Sequence, residues 1–158
     1  MGYAKSQRMT PSPVTETDND DATGYILDDQ VGFLLRLASQ RHAVIFQKHA
    51  VENLTATQFS TLLRISEQGE VSQNHLGRLA AMDVATIKGV VDRLKAKDLI
   101  QTTADPVDKR RMSISLTPAG AALIADLKVS GTVITKETLA PLTASESEIL
   151  IGLLKKIT

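Results

Sequence analysis

Apolar positions between Asp28 and Val51 recur at helical spacing. At about 100° per residue, Val31, Leu35, Ala38, His42, Ile45 and His49 fall within about 40° of one line, with Leu34 and Phe46 beside it. This predicts one long amphipathic helix whose apolar seam carries two histidines. Thr55-Ala-Thr-Gln58 has capping-box spacing and opens a second helix through Phe59, Leu62, Leu63 and Ile65, with Gly69 placed to end it. Ser72 caps a short helix bearing Leu76, Leu79 and Ala80. Ala81 and Met82 form a tight turn. Asp83 then starts a helix to about Lys97, with Val84, Ile87, Val91 and Leu94 as its predicted buried stripe.

Beyond that helix the period changes. Ile100 to Ala104 and Met112 to Leu116 read as two strands around the polar turn Asp105-Pro-Val-Asp-Lys-Arg110, a hairpin with a basic tip. Thr117-Pro118 starts another helix, carrying Leu123, Ile124, Leu127 and Ile134. Gly131 and the β-branched run from Thr132 to Thr135 weaken its second half. Thr143-Ala-Ser-Glu146 is a second capping box, opening a last helix with Ile149, Leu150, Leu153, Leu154 and Ile157. The fold class is therefore mainly α with a small β-hairpin, a winged helix-turn-helix with further helices from both termini.

Composition narrows the chemistry. The absence of Cys excludes disulfides, thiolate zinc sites and a cysteine nucleophile, and is compatible with a reducing cytoplasm, the expected location. Aromatics are 3%, so the core must be aliphatic. No apolar run approaches the ~18 residues of a membrane span, and no membrane partner is expected. A Gly-rich phosphate loop, His-Glu-x-x-His and Gly-x-Ser-x-Gly are all missing, so the chain does not read as an enzyme and no cofactor is expected.

Net charge is zero, but its distribution is not even. Up to Asp29 two basic residues stand against six acidic; from Arg78 to Arg111 eight basic stand against five acidic. The polar, turn-rich segment 1–24 reads as a flexible arm. In a winged helix-turn-helix the helix from Asp83 enters the major groove. Its outward face is then Ala85, Thr86, Gly89, Asp92, Arg93 and Ala96, flanked by Lys88 and Lys95. Small residues permit close approach, the Thr86 methyl matches a thymine methyl, and Lys88 and Arg93 reach phosphate or guanine. Ser72, Gln73 and Asn74 at the start of the preceding helix suit phosphate. Lys109, Arg110 and Arg111 at the hairpin tip suit a narrow minor groove, with Asp108 orienting Arg110.

Beyond these patterns the chain resembles the MarR family of bacterial transcriptional regulators. The likeness lies in Leu54-Thr-Ala-Thr-Gln-Phe59, Leu76-Gly-Arg-Leu-Ala80, Val91-Asp-Arg-Leu94, Asp105-Pro-Val-Asp-Lys-Arg110 and Leu116-Thr-Pro-Ala-Gly120. Ser72 to Arg78 and Met82 to Val90 are similar to the branch of nicotinate-degradation repressors. The resemblance implies a homodimer, a pseudo-palindromic double-stranded DNA operator and release by a small aromatic acid such as a hydroxylated nicotinate or benzoate. It divides the chain into the arm 1–24, a dimerisation helix 25–52, the winged DNA-binding lobe 53–117 and C-terminal dimerisation helices 118–158. Val31, Leu35, Leu150, Leu153, Leu154 and Ile157 are the expected dimer contacts. Three positions depart from the family pattern. Asp98 replaces a usual Gly at a left-handed position, and Gly89 and Thr102 replace Arg, with Lys88 placed to compensate.

The resemblance places an effector pocket between the dimerisation helices and the winged lobe, with Arg41, His42 and Arg64 as its expected polar groups. Seven helical residues separate His42 from His49, about 10.5 Å, too far for one metal ion, so no metal site within one chain is expected. A site shared across a dimer stays open, as does a purely packing role for the histidines. Two other readings of the whole chain also remain: a winged-helix protein-interaction module, and a MarR-like regulator without an effector.

Overall fold

The computed structural model describes residues 24–104 and 112–158. The arm up to residue 23 and the hairpin tip, with Asp108, Lys109, Arg110 and Arg111, lie outside the described residues. The first helix, α1, spans Val31–Lys48 and is shorter than its apolar period suggests. Gln30 (φ −80°, ψ 127°) is extended and separates it from a 3-10 turn at Leu27–Asp29. After His49 the chain enters a second 3-10 turn, Val51–Asn53, in which Glu52 and Asn53 take φ 51°. These left-handed residues turn the chain sharply into α2, Ala56–Gln68.

Local signals set the helix starts. Thr55 Oγ1 accepts the Gln58 backbone N–H at 3.3 Å, while Gln58 Oε1 accepts that of Thr55 at 3.0 Å. Gly69 (φ 75°) ends α2. Ser72 Oγ accepts the His75 N–H at 3.4 Å and starts α3, Gln73–Leu79. Ala81 (φ 51°) makes the turn, and Asp83 caps α4, Val84–Ala96. Gly77 lets the two helices close: a Cβ there would stand 3.2 Å from the Met82 carbonyl oxygen and 3.3 Å from Ile87 Cγ2.

Two expectations are corrected here. The buried stripe of α4 is Ile87, Val90, Val91 and Leu94, whereas Val84 is 67% exposed. Val90 lies on the Ile87–Leu94 side of the stripe, while Val84, in the first turn, overhangs the end of the core. Among the described residues, moreover, the sheet has three strands. β1 (Val71–Ser72) pairs antiparallel with β3 (Met112–Leu116), which pairs antiparallel with β2 (Ile100–Ala104), in the order β1-β3-β2. Val71 faces Ile114 in that register, and both are buried.

α5 runs unbroken over Pro118–Thr138, through Gly131 and the β-branched run. Tertiary packing outweighs propensity there. A Cβ at Gly131 would stand 3.1 Å from Phe59 Cζ, so the glycine makes room for an aromatic edge. The start of α5 is tied to the lobe by Thr117. Its hydroxyl donates to the Asp98 carbonyl at 2.6 Å and accepts the Gly120 N–H at 3.0 Å, and its own N–H reaches the Leu99 carbonyl at 3.2 Å. Asp98 takes φ 57°, the left-handed geometry expected of it.

Among the described residues two apolar clusters result. The larger joins Leu62, Ile65, Leu76, Ile87, Leu94, Ile114 and Leu127 with their neighbours. The smaller is Ile45, Phe46 and Ile134, between α1 and α5. Phe59 packs against both, meeting Phe46 edge to face at 5.5 Å. α6, Ala144–Ile157, has the second capping box but buries no residue in the single chain. Ile149, Leu153 and Ile157 are exposed, as are Val31 and Leu35 of α1.

Candidate nucleic-acid interface and the cleft behind it

The N-terminal half of α4 presents Val84, Ala85 and Thr86 to solvent. Asp83 Oδ1 accepts the Thr86 backbone N–H at 2.7 Å, and the Thr86 hydroxyl donates to Oδ2 at 2.9 Å. These bonds, the backbone one foremost, hold the Asp83 carboxyl below its usual range. They fix the Thr86 side chain, so its methyl group is positioned rather than free to rotate. Val84 belongs to this tip and not to the core, and the three side chains make a small apolar surface suited to thymine methyls.

Behind the tip lie the cations. Lys88 pairs with Asp92 at 3.4 Å across one helical turn. Arg93 rises over Gly89, its Nη1 3.7 Å from where a Cβ would sit. Lys95 donates to Thr102 Oγ1 at 3.1 Å, which puts a cation beside β2, where the family's arginine is missing. Exposed pairs such as Lys88–Asp92 are weak and exchange readily for a phosphate. Ser72, Gln73 and Asn74 start α3 close by, Ser72 with its oxygen already used as the cap. A small hollow of about 250 Å³ among Asn74, Arg78, Asp83 and Val84 joins the two helices on this face. The structure thus gathers Asn74, Ala85, Thr86, Lys88 and Arg93 on or beside the α3–α4 unit.

A cleft of about 800 Å³ opens between α1, α2 and α5. Phe46, Phe59, Leu63, Leu127 and Ile134 make its apolar walls. Its polar groups are His42, Ser60, Lys128, Thr132, Thr135 and Lys136, and among the described residues no carboxylate lines it. Apolar walls with a few cationic and hydroxyl groups suit a flat organic anion. Lys128 and Lys136 are two helical turns apart on α5, about 12 Å along its axis.

Of the three predicted effector residues, only His42 lines this cleft. Arg41 instead caps the end of α5: its guanidinium donates to the Thr138 carbonyl and, at 3.1 Å, to that of Glu137. Arg64 lies on the outer face of α2, in an exposed pair with Glu67 at 2.9 Å. Both arginines are thus engaged outside this cleft in the single chain, Arg41 by carbonyls and Arg64 by a carboxylate. Lys128 and Lys136, which lie on α5 and not on the first two helices, are cleft cations not expected from the sequence. Their spacing of eight on one face of α5 was the available signal.

His49 also finds a partner far along the chain. Its Nε2 lies 2.6 Å from Glu137 Oε2, while Lys48 Nζ lies 2.9 Å from Oε1. Hydrogen bonds from Lys48, then His49, hold the Glu137 carboxyl below its usual range. His42 Nδ1 lies 3.0 Å from Thr138 Oγ1. Among the described residues no three His, Asp or Glu side chains gather as a metal would need.

Residues 54–112 match the MarR family model. The HTH-type transcriptional repressor NicR of Pseudomonas putida is 40% identical over 153 residues, covering 96% of this chain and 94% of the relative. A probable transcriptional regulator from Pseudomonas aeruginosa superposes with a TM-score of 0.81 at 50% identity, covering 84% of this chain and 100% of that one. Bordetella bronchiseptica BpsR, whose DNA binding is regulated by 6-hydroxynicotinic acid, superposes at 0.79 with 39% identity, over 84% of this chain and 96% of its own. Near-full-length identity and the shared winged fold together place the chain in the MarR family of DNA-binding transcriptional regulators, on its NicR-like branch.

Proposed function

We propose that the protein is a cytoplasmic repressor that binds a pseudo-palindromic operator as a homodimer and leaves it when a small aromatic acid, such as a hydroxylated nicotinate, fills the cleft. The observation that carries this reading is the position of α2. It walls the cleft through Phe59 and Leu63, and its Leu62 and Ile65 share one core with Ile87, Val91 and Leu94 of the recognition helix. A ligand that shifts α2 against α1 and α5 therefore shifts α4 as well. In a dimer that changes the separation of two recognition helices, which must be about 34–36 Å to meet successive turns of B-DNA.

The apolar residues of α6 and the start of α1 support the dimer. Val31, Leu35, Leu150, Leu153, Leu154 and Ile157 are all exposed in one chain, more apolar surface than a monomer ordinarily leaves in water. The wing residues Lys109, Arg110 and Arg111, with Asp108 orienting Arg110, complete the DNA contact in this proposal. A gel shift with palindromic DNA from upstream of the protein's own gene tests it. The expected shift weakens at least tenfold between 50 and 200 mM salt, and is lost on adding 6-hydroxynicotinate. A shift insensitive to the ligand favours a regulator without an effector; no shift at any salt favours a protein-interaction module.

A further inference from the structure

The end of α5 is held by a polar clasp from α1. Arg41 takes the Glu137 and Thr138 carbonyls, Lys48 and His49 take the Glu137 carboxylate, and His42 meets the Thr138 hydroxyl. These contacts span 88 to 97 residues of sequence. His42 is the member of the clasp that also lines the cleft. Its ring stands 6.5 Å from that of Phe46, a cleft wall.

We infer that Thr138 is a positioning residue for effector recognition: it fixes the His42 imidazole through Nδ1, so that Nε2 is the ring nitrogen offered to the ligand. This rests on the reading of the cleft as an effector site. A ring nitrogen hydrogen-bonded to a hydroxyl holds the imidazole in one orientation, and because the hydroxyl can donate or accept, the other nitrogen keeps either role toward the ligand. The cleft supplies what such a nitrogen needs beside it. Phe46 and Phe59 give flat walls for a ring, and Lys128 and Lys136 on α5 give cations for a carboxylate. His42 Nε2 then meets a ring hydroxyl or oxo group, which separates a hydroxylated aromatic acid from its unsubstituted parent. Arg41, tied to the same turn of α5, keeps Thr138 in place.

The variants Thr138→Val, which removes the hydroxyl at nearly the same shape, and Thr138→Ser, which restores it, test the inference in the full-length protein. Nitrogen-15 spectra of the ligand-free protein read the hydrogen bond at His42 Nδ1. A hydrogen-bonded Nδ1 is expected in the parent and in Thr138→Ser, and loss of that bond in Thr138→Val. Calorimetry with 6-hydroxynicotinate and with nicotinate reads recognition. Thr138→Val is expected to weaken 6-hydroxynicotinate tenfold or more, to change nicotinate less than threefold, and to leave operator affinity without ligand within twofold. Equal loss for both acids, or full 6-hydroxynicotinate affinity in Thr138→Val, would overturn the positioning role. No binding of either acid to a parent that still shifts operator DNA would instead overturn the effector reading itself, and this inference with it.

Discussion

Replacing Gly120 by Ala is the sharpest test of how the lobe is joined to α5. A Cβ at Gly120 would lie 2.0 Å from the Leu99 carbonyl oxygen and 2.9 Å from its carbon, where ordinary contact begins near 3.4 Å. Both opposing atoms are backbone, and Leu99 is itself buried between α4 and β2. The first turn of α5 must therefore move by more than about 1 Å, breaking the bonds that Thr117 makes to Asp98 and Leu99. Overpacking of this kind costs about 1–3 kcal/mol. For a chain of this length, about 2 kcal/mol lowers the melting temperature by roughly 4–8 °C. Urea unfolding at fixed protomer concentration measures it, since a dimer's apparent stability depends on concentration. Gly89→Ala is the control. Its Cβ meets only Arg93 Nη1 at an ordinary 3.7 Å, and a mid-helix Gly→Ala change stabilises by about 0.5–1 kcal/mol. An unchanged midpoint for Gly120→Ala would refute the close packing of α5 on Leu99.

Other outcomes follow from the same structure. Gly89→Ala, though more stable, should bind operator less tightly by anisotropy titration, because the added methyl projects from the groove-facing side of α4. Arg110→Ala should weaken operator binding by about 1–3 kcal/mol and reduce the salt slope by about 0.9 per lost phosphate contact; an unchanged slope removes the wing from the interface. Leu153→Asp combined with Leu154→Asp should sediment as monomers or aggregates, and an intact dimer would move the interface elsewhere. Glu137 has its pKa depressed in the folded chain by Lys48 and His49, so its contribution is present above the ordinary glutamate value, about 4.3, and is lost as pH falls through the lower folded value. Glu137→Gln should therefore flatten the acid limb of the stability profile, and an unaltered limb would mean that the clasp adds nothing.

Where sequence spoke through neighbours a few residues apart, it spoke accurately. Both capping boxes, the Asp83 and Thr117 caps and the ending of α2 at Gly69 are local, and each depends on atoms within one or two turns, whereas the left-handed Asp98 was implied by the family resemblance. The start and end of α1 were blurred because apolar spacing continues through Gln30 and His49 while the backbone does not. β1 escaped notice because two residues show no alternation; its existence depends on Ile114, forty-three positions away. Propensity argued against the second half of α5, but Phe59 needs the gap at Gly131 and packing keeps the helix whole. The cleft was the least legible feature. Arg41 finds its partners, the α5 carbonyls, only through the tertiary fold, whereas Arg64 pairs with Glu67 one turn along its own helix, a spacing already present in the sequence. Lys128 and Lys136 become cleft residues only once α5 lies across α1 and α2.

In the proposed function the cleft and the recognition helix are coupled through α2. Calorimetry of 6-hydroxynicotinate against the free protein and against the protein saturated with operator DNA tests it most directly. Coupling is reciprocal, so whatever factor the ligand takes from operator affinity, the operator must take from ligand affinity. A tenfold weakening, about 1.4 kcal/mol, is the least that would make a working switch. A ligand dissociation constant at least tenfold higher in the presence of operator is expected, matching the factor read from DNA release. Equal ligand affinity with and without operator would contradict it, whatever the ligand's affinity for the free protein.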